Sequence, residues 1–133
     1  MRKIRYIVVH CSDTPNDRDV DAATIHEWHK ERGFDGIGYH FVIRRDGTIE
    51  NGRPIYWKGA HAKKVNHNSI GICLVGRDVF TTEQLASLEL EIRRQLADRP
   101  HLRVKGHYQF DDHKTCPNFD AEQWWLNIKS KRC

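Results

Sequence analysis

Apolar positions in this chain fall into short β-branched runs separated by segments of helical period, and their order sets the expected architecture. Residues 5–10 are β-branched and aromatic and end in the polar cluster Cys11-Ser12-Asp13-Thr14-Pro15-Asn16, the pattern of a buried strand feeding an irregular loop. A helix is expected next, with Asp21 as N-cap, Val20 and Ile25 at hydrophobic-staple positions, Gly33 as the stop, and Ile25, Trp28 and His29 on the inner face. Residues 38–43 read as a second strand, Asp46-Gly47 as a hairpin turn, and residues 48–50 as the start of the return strand. Alternation along the second strand puts Tyr39, Phe41 and Ile43 on one face and His40 and Val42 on the other. The nearly continuous apolar stretch 69–75 predicts a central strand buried on both faces.

The longest helix follows. Thr81 and Gln84 form a capping box, Leu85, Leu88, Ile92 and Leu96 make one apolar stripe with Leu90 opposite it, and Pro100 bars continuation. Residues 102–105 then give a short strand that delivers His107. Asp120 caps a last helix running to about Lys129, with Phe119 and Trp124 at staple positions and Lys129 and Lys131 near the negative end of its dipole. Strands at both ends and in the middle, separated by helices and one hairpin, imply an α/β fold: a central mixed β-sheet flanked by about three helices. At 133 residues the chain suits a single domain spanning 1–133. The irregular stretch 52–68, with Pro54, Trp57, Gly59, His61 and His67, is long for a compact domain and marks a functional or mobile loop.

Charge changes this picture little. The net charge of +4 and pI near 9.0 come from acidic residues mixed among basic ones, which gives only a weak preference for an anionic partner. With no paired Cys/His finger spacing, a nucleic-acid module is disfavoured. No run is apolar enough to cross a bilayer, and Met1-Arg2-Lys3 leads into a strand rather than a signal peptide, so synthesis in the cytosol is expected. The four cysteines lack a CxxC pairing and are expected to be reduced or metal-bound, with Cys11 and Cys73 as small buried thiols and Cys133 a terminal thiol of no assigned role.

Two stretches offer metal donors. His26 and His29 lie three apart rather than the four of an HExxH site, which favours surface or half-packed histidines. The loop 106–119 is stronger: His107 and Cys116 are good donors and His113 is a further candidate, too few for a closed structural zinc site. A distant residue must complete the set, and His10, at a strand end, is the best placed. Two imidazoles and a thiolate leave Zn²⁺ one open coordination position, the arrangement of a catalytic site suited to amide hydrolysis. Lys114 as a fixed charge and Tyr39 as a hydrogen-bond donor are placed to stabilise an oxyanion, the alternatives being a solvated lysine and a core tyrosine.

These residues carry a resemblance. His10 in Ile-Val-Val-His-Cys-Ser, Gly38-Tyr39-His40-Phe41, Gly59-Ala60-His61-Ala62, the segment from Asn68 through Ile70-Gly71-Ile72 to Gly76, and Gly106-His107 followed by Lys114-Thr115-Cys116-Pro117 occur in one order. Together they resemble the zinc N-acetylmuramoyl-L-alanine amidases of the phage-lysozyme and peptidoglycan-recognition superfamily, most closely its small single-domain phage lysozymes. The resemblance implies one zinc ion held by His10, His107 and Cys116, with Tyr39 and Lys114 assisting catalysis and His113 reduced to a neighbour. It implies cleavage of the amide joining N-acetylmuramic acid to L-alanine in bacterial peptidoglycan, with His61 and Asn68 touching substrate. Cys73 stands where some relatives carry a glutamate, so a carboxylate base there is in doubt. The superfamily also contains non-catalytic peptidoglycan-binding modules and regulators of phage RNA polymerase, which are the competing readings. A monomer without membrane or nucleic-acid partners is expected, made in the host cytosol if phage-encoded and acting on the wall after release.

Overall fold

Six consecutive residues, Ser69–Leu74, are all buried, and the sheet is assembled around them. The computed structural model describes residues 2–131. In chain order its elements are β1 (Tyr6–Cys11), α1 (Ala22–Glu31), β2 (Phe41–Ile43), β3 (Ile49–Asn51), β4 (Ser69–Leu74), α2 (Thr82–Asp98), β5 (Arg103–Gly106) and α3 (Ala121–Lys131). The strands lie in the order β3-β2-β4-β1-β5. β4 is parallel to β1 and β2, β1 is also parallel to β5, and only the β2–β3 hairpin is antiparallel. A strand with parallel neighbours on both sides must be covered on both faces, which explains the near-continuous apolar text of β4. Cys133 lies outside the described residues.

The faces are covered unequally. Ile7, Val9, Ile70, Ile72, Leu74 and Val104 meet Leu88 and Ile92 of α2 and Ala121 and Trp125 of α3 in the main core. On the opposite face Ile25 of α1 packs with Val20, Ile37, Val42, Cys73 and Val75, while Val8 packs with Ala62 and Val65 from the irregular stretch. Asp21 caps α1 by accepting from the Thr24 amide at 2.9 Å. Thr81 and Gln84 form the capping box of α2. Gln84 is fully buried because its amide group also donates to the carbonyls of Ile43 and Val75, tying α2 to two strand ends.

The second strand starts later than the alternation predicts, at Phe41 rather than residue 38. His40 N still donates to Gly71 O of β4, but the carbonyls of residues 38–40 bond to the irregular stretch: Ala60 N donates to Gly38 O, Arg53 N to Tyr39 O and Gly52 N to His40 O. A Cβ on Gly38 would stand 2.1 Å from Ala60 O, so this close backbone approach requires glycine there. As the pleat does not extend back to Tyr39, that side chain joins the Val42 and Cys73 cluster instead of the Phe41 and Ile43 face. No helix among the described residues is long and apolar enough to cross a membrane.

The two leucines on opposite sides of α2 test this packing. Leu88 is fully buried and Leu90 is 47% exposed. Leu88→Ala is expected to cost about 2–5 kcal/mol in a denaturant titration, whereas Leu90→Ala should stay within about 0.5 kcal/mol; equal losses would show that the stripe is misassigned.

Candidate metal centre and cleft

His10 comes from the C-terminal end of β1, on the face that also carries Val8. The register pairs Val9 with Gly106, and the chain then turns into a 3-10 turn at His107–Gln109. Parallel neighbours thus release His10 and His107 side by side, with ring centroids 4.4 Å apart. Cys116 returns to the same strand end, where its Sγ accepts from the Cys11 amide at 2.8 Å while Tyr108 N donates to Cys116 O at 3.0 Å. One ligand atom from each of His10, His107 and Cys116 lies within 4.8 Å of the others, the single such group among the described residues. Two nitrogens and a sulfur at this spacing fit a zinc-type ion with an open position, which needs donors about 2.0–2.3 Å from the metal.

Burial sets the charge state of these donors. It pushes the His10 imidazole well below its ordinary pKa, helped by the neighbouring His61 and His107, and it also lowers His107, where Lys114 adds to the effect and Asp111 opposes it. Both rings are therefore neutral near pH 7, with lone pairs available to a metal. Cys116 behaves oppositely: its hydrogen bond with the Cys11 thiol, then burial, hold its proton well above the usual thiol range. A metal must displace that proton to bind.

Around the donors is a cleft of about 730 Å³, lined by His10, Tyr39, His61, His107, Lys114 and Cys116, with Arg32, Phe34, Lys63 and Asn66 further out. The Tyr39 ring lies 5.1 Å from that of His10 and packs against the buried cluster that holds Cys73. Burial, then the nearby sulfurs, raise the Tyr39 pKa well above its ordinary value, so the hydroxyl keeps its proton. The His61 ring stands edge-on to His10, its Nδ1 2.7 Å from His10 Nε2 and its Nε2 3.3 Å from Ser69 Oγ. Asn66 Oδ1 holds this segment by accepting from the amides of His61 and Ala62, both at 2.8 Å.

The sequence profile of the family described as N-acetylmuramoyl-L-alanine amidase matches residues 1–119. The chain belongs to this amidase family. Among its relatives, the endolysins of Escherichia phage T7 and Enterobacteria phage T3 are each 43% identical over 127 residues, covering 90% of this chain and 83% of the relative. The solved N-acetylmuramoyl-L-alanine amidase LysC from Clostridium intestinale URNW superposes with a TM-score of 0.86 at 32% identity, over 98% of this chain and 87% of that one. A Drosophila PGRP-LB mutant in complex with tracheal cytotoxin gives a TM-score of 0.80 at 27% identity, over 93% and 80% of the two chains.

In this amidase the expected residues do not all converge. His10, His107 and Cys116 meet, and Tyr39, Lys114 and His61 line the same cleft, Lys114 as an exposed residue. His113 is exposed and outside the donor trio. Asn68 does not line the cleft; its carbonyl accepts from Arg5 N at 2.7 Å, and Asn66, two residues earlier, faces the cleft instead. His29 is buried on the inner face of α1, where its Nδ1 accepts from Gly38 N at 2.8 Å; burial, foremost, lowers its pKa to about 4. His26 likewise accepts from Ile37 N at 3.0 Å, so both helix histidines fasten the 36–38 backbone. Sequence reasoning missed Cys11, Ser69 and Asn66 as neighbours of the site. Cys11 and Ser69 read as ordinary strand residues, and only the turn geometry of the Asn66–Asn68 segment decides which asparagine turns inward.

Two glycines make room for His61. A Cβ on Gly71 would stand 2.6 Å from its Cγ and Cδ2, and one on Gly59 2.4 Å from Cδ2. Gly71→Ala is therefore expected to cost about 1–3 kcal/mol and to shift the His61 ring resonances in NMR spectra; an unshifted His61 at wild-type stability would show that the ring is not confined.

Proposed function

We propose that this amidase is a phage-type endolysin that uses one zinc ion, held by His10, His107 and Cys116, to hydrolyse the amide between N-acetylmuramic acid and L-alanine in peptidoglycan. The observation that carries the reading is the convergence of that donor trio with a protonated phenol and a lysine in one cleft. When bound, zinc supplies Lewis acidity that polarises an amide carbonyl and makes water nucleophilic near neutral pH. The chain's own groups do the rest. Tyr39, protonated and held beside His10, donates to the carbonyl oxygen as negative charge develops there, and Lys114 adds a positive charge at the cleft mouth. Cys73 takes no part as a base, because burial, above all, keeps its thiol protonated. A peptidoglycan-binding module without activity has no need of an open donor trio beside such groups. In this reading the protein works as a monomer and reaches the wall after leaving the cytosol in which it is made.

Digestion of purified peptidoglycan, with mass analysis of the products, is the direct test. Stem peptides with a free L-alanine amino terminus are expected; reducing sugar ends or no release would overturn the reading. Tyr39→Phe and Lys114→Ala should each lower kcat about 100-fold or more with zinc retained, and unchanged turnover in both would remove them from the mechanism.

Metal analysis should find about one zinc per chain in the wild type and little in Cys116→Ala. The pH dependence follows from the raised Cys116 pKa. Below that pKa each zinc bound releases one proton, so affinity should fall about tenfold per pH unit on acidification. Competition with a chromogenic chelator measures this, and a flat profile would exclude Cys116 as a thiolate ligand.

A further inference from the structure

For a neutral His61 ring, the hydrogen bonds around it leave each proton only one place to be. Ser69 Oγ lies 2.7 Å from the Val65 carbonyl, which can only accept, so the single hydroxyl hydrogen points there. Toward His61 Nε2, at 3.3 Å, the same oxygen can then act only as an acceptor, and Nε2 must carry the hydrogen. A neutral His61 is left with a bare Nδ1, 2.7 Å from His10 Nε2, and that contact needs its hydrogen on His10. A neutral His10 protonated on Nε2 has its lone pair on Nδ1. A doubly protonated His61 would reverse the last bond and put the hydrogen of His10 on Nδ1.

We infer that Ser69 and His61 are positioning residues that fix the tautomer of His10, so that Nδ1 is the nitrogen offered to the metal. The inference rests on the proposed zinc site but concerns groups outside the donor trio. A ligating histidine ordinarily gives its other ring N–H to a carboxylate or a carbonyl, which fixes both tautomer and ring plane. Here a second histidine takes that part, and its acceptor nitrogen is set in turn by a serine whose own hydrogen is committed to the backbone. The rest of the structure holds this chain of bonds still. Gly59 and Gly71 let the His61 ring lie close against the backbone, and Asn66 pins the backbone at His61 and Ala62. With both ring nitrogens engaged inside the protein, His61 acts through His10 and not through a polar contact with substrate.

Long-range ¹H–¹⁵N NMR of histidine-labelled wild-type protein, recorded without and with zinc, reads the tautomers directly. Expected in both states are Nε2–H on His10 and on His61, with zinc shifting Nδ1 of His10. A hydrogen on His10 Nδ1, or zinc on its Nε2, would overturn the inference. The metal-free spectra judge the relay even if zinc does not bind, an outcome that would instead sink the functional reading.

Chelator competition supplies the second readout. His61→Ala and Ser69→Ala are expected to weaken zinc binding about 10- to 100-fold, while His61→Asn, whose Oδ1 stands near the place of Nδ1, should restore most of it. Wild-type zinc affinity in a folded His61→Ala protein, with only KM altered, would show a substrate contact and overturn the relay; if that variant does not fold, Ser69→Ala and the wild-type spectra decide.

Discussion

The site depends on one constraint, the parallel register that places β1 between β4 and β5. Because those strands run the same way, their C-terminal ends open on one side of the sheet, and the pairing of Val9 with Gly106 puts His10 next to His107. An antiparallel β5 would release His107 at the far end of the strand. The α2 and α3 packing on the other face therefore bears on the donors indirectly, since Leu88, Ile92 and Trp125 bury the strand residues that alternate with them. A ligand placed on a strand surrounded by parallel neighbours has little freedom to drift, which suits a centre whose geometry must be set before substrate arrives.

Cys116 reaches this rigid frame by a different route. Its loop has no long element of its own, and the contact that brings it home is the Cys11 amide on its sulfur. An N–H donor favours the thiolate over the thiol, whereas the Cys11 thiol and burial favour the protonated form. The balance between them changes when a cation arrives, because the charge that burial penalises is then compensated. In the proposed site, metal binding and loss of the Cys116 proton would for this reason be parts of one equilibrium.

Much of this was legible in the sequence because it rests on periodicity and local chemistry. The all-apolar text of 69–75 identified the central strand, Asp21 and the Thr81–Gln84 box marked two helix starts, and the placing of His10 and His107 at strand ends anticipated the donor trio. What stayed hidden depends on contacts distant in sequence. Alternation failed at Tyr39 because the chain bends at His40, where the consecutive amides of Gly52 and Arg53 donate to the carbonyls of His40 and Tyr39. His29 looked like a half-packed helix histidine because nothing local shows that the Gly38 amide will need an acceptor. Ser69 and His61, only eight residues apart, meet because the chain folds back over Gly71 through a turn that composition does not encode.

The placement of Cys73 bears on how such a cleft works without a carboxylate at that point. A glutamate buried on the central strand beside Tyr39 would bring a charge into the apolar cluster of Ile25, Val42 and Val75, a costly arrangement. The thiol avoids that cost, because burial keeps it protonated. Tyr39 lies beside His10 in surroundings where burial keeps its proton in place. Burial thus divides the cleft: the buried Tyr39 presents a neutral phenol, and the exposed part carries the Lys114 ammonium group.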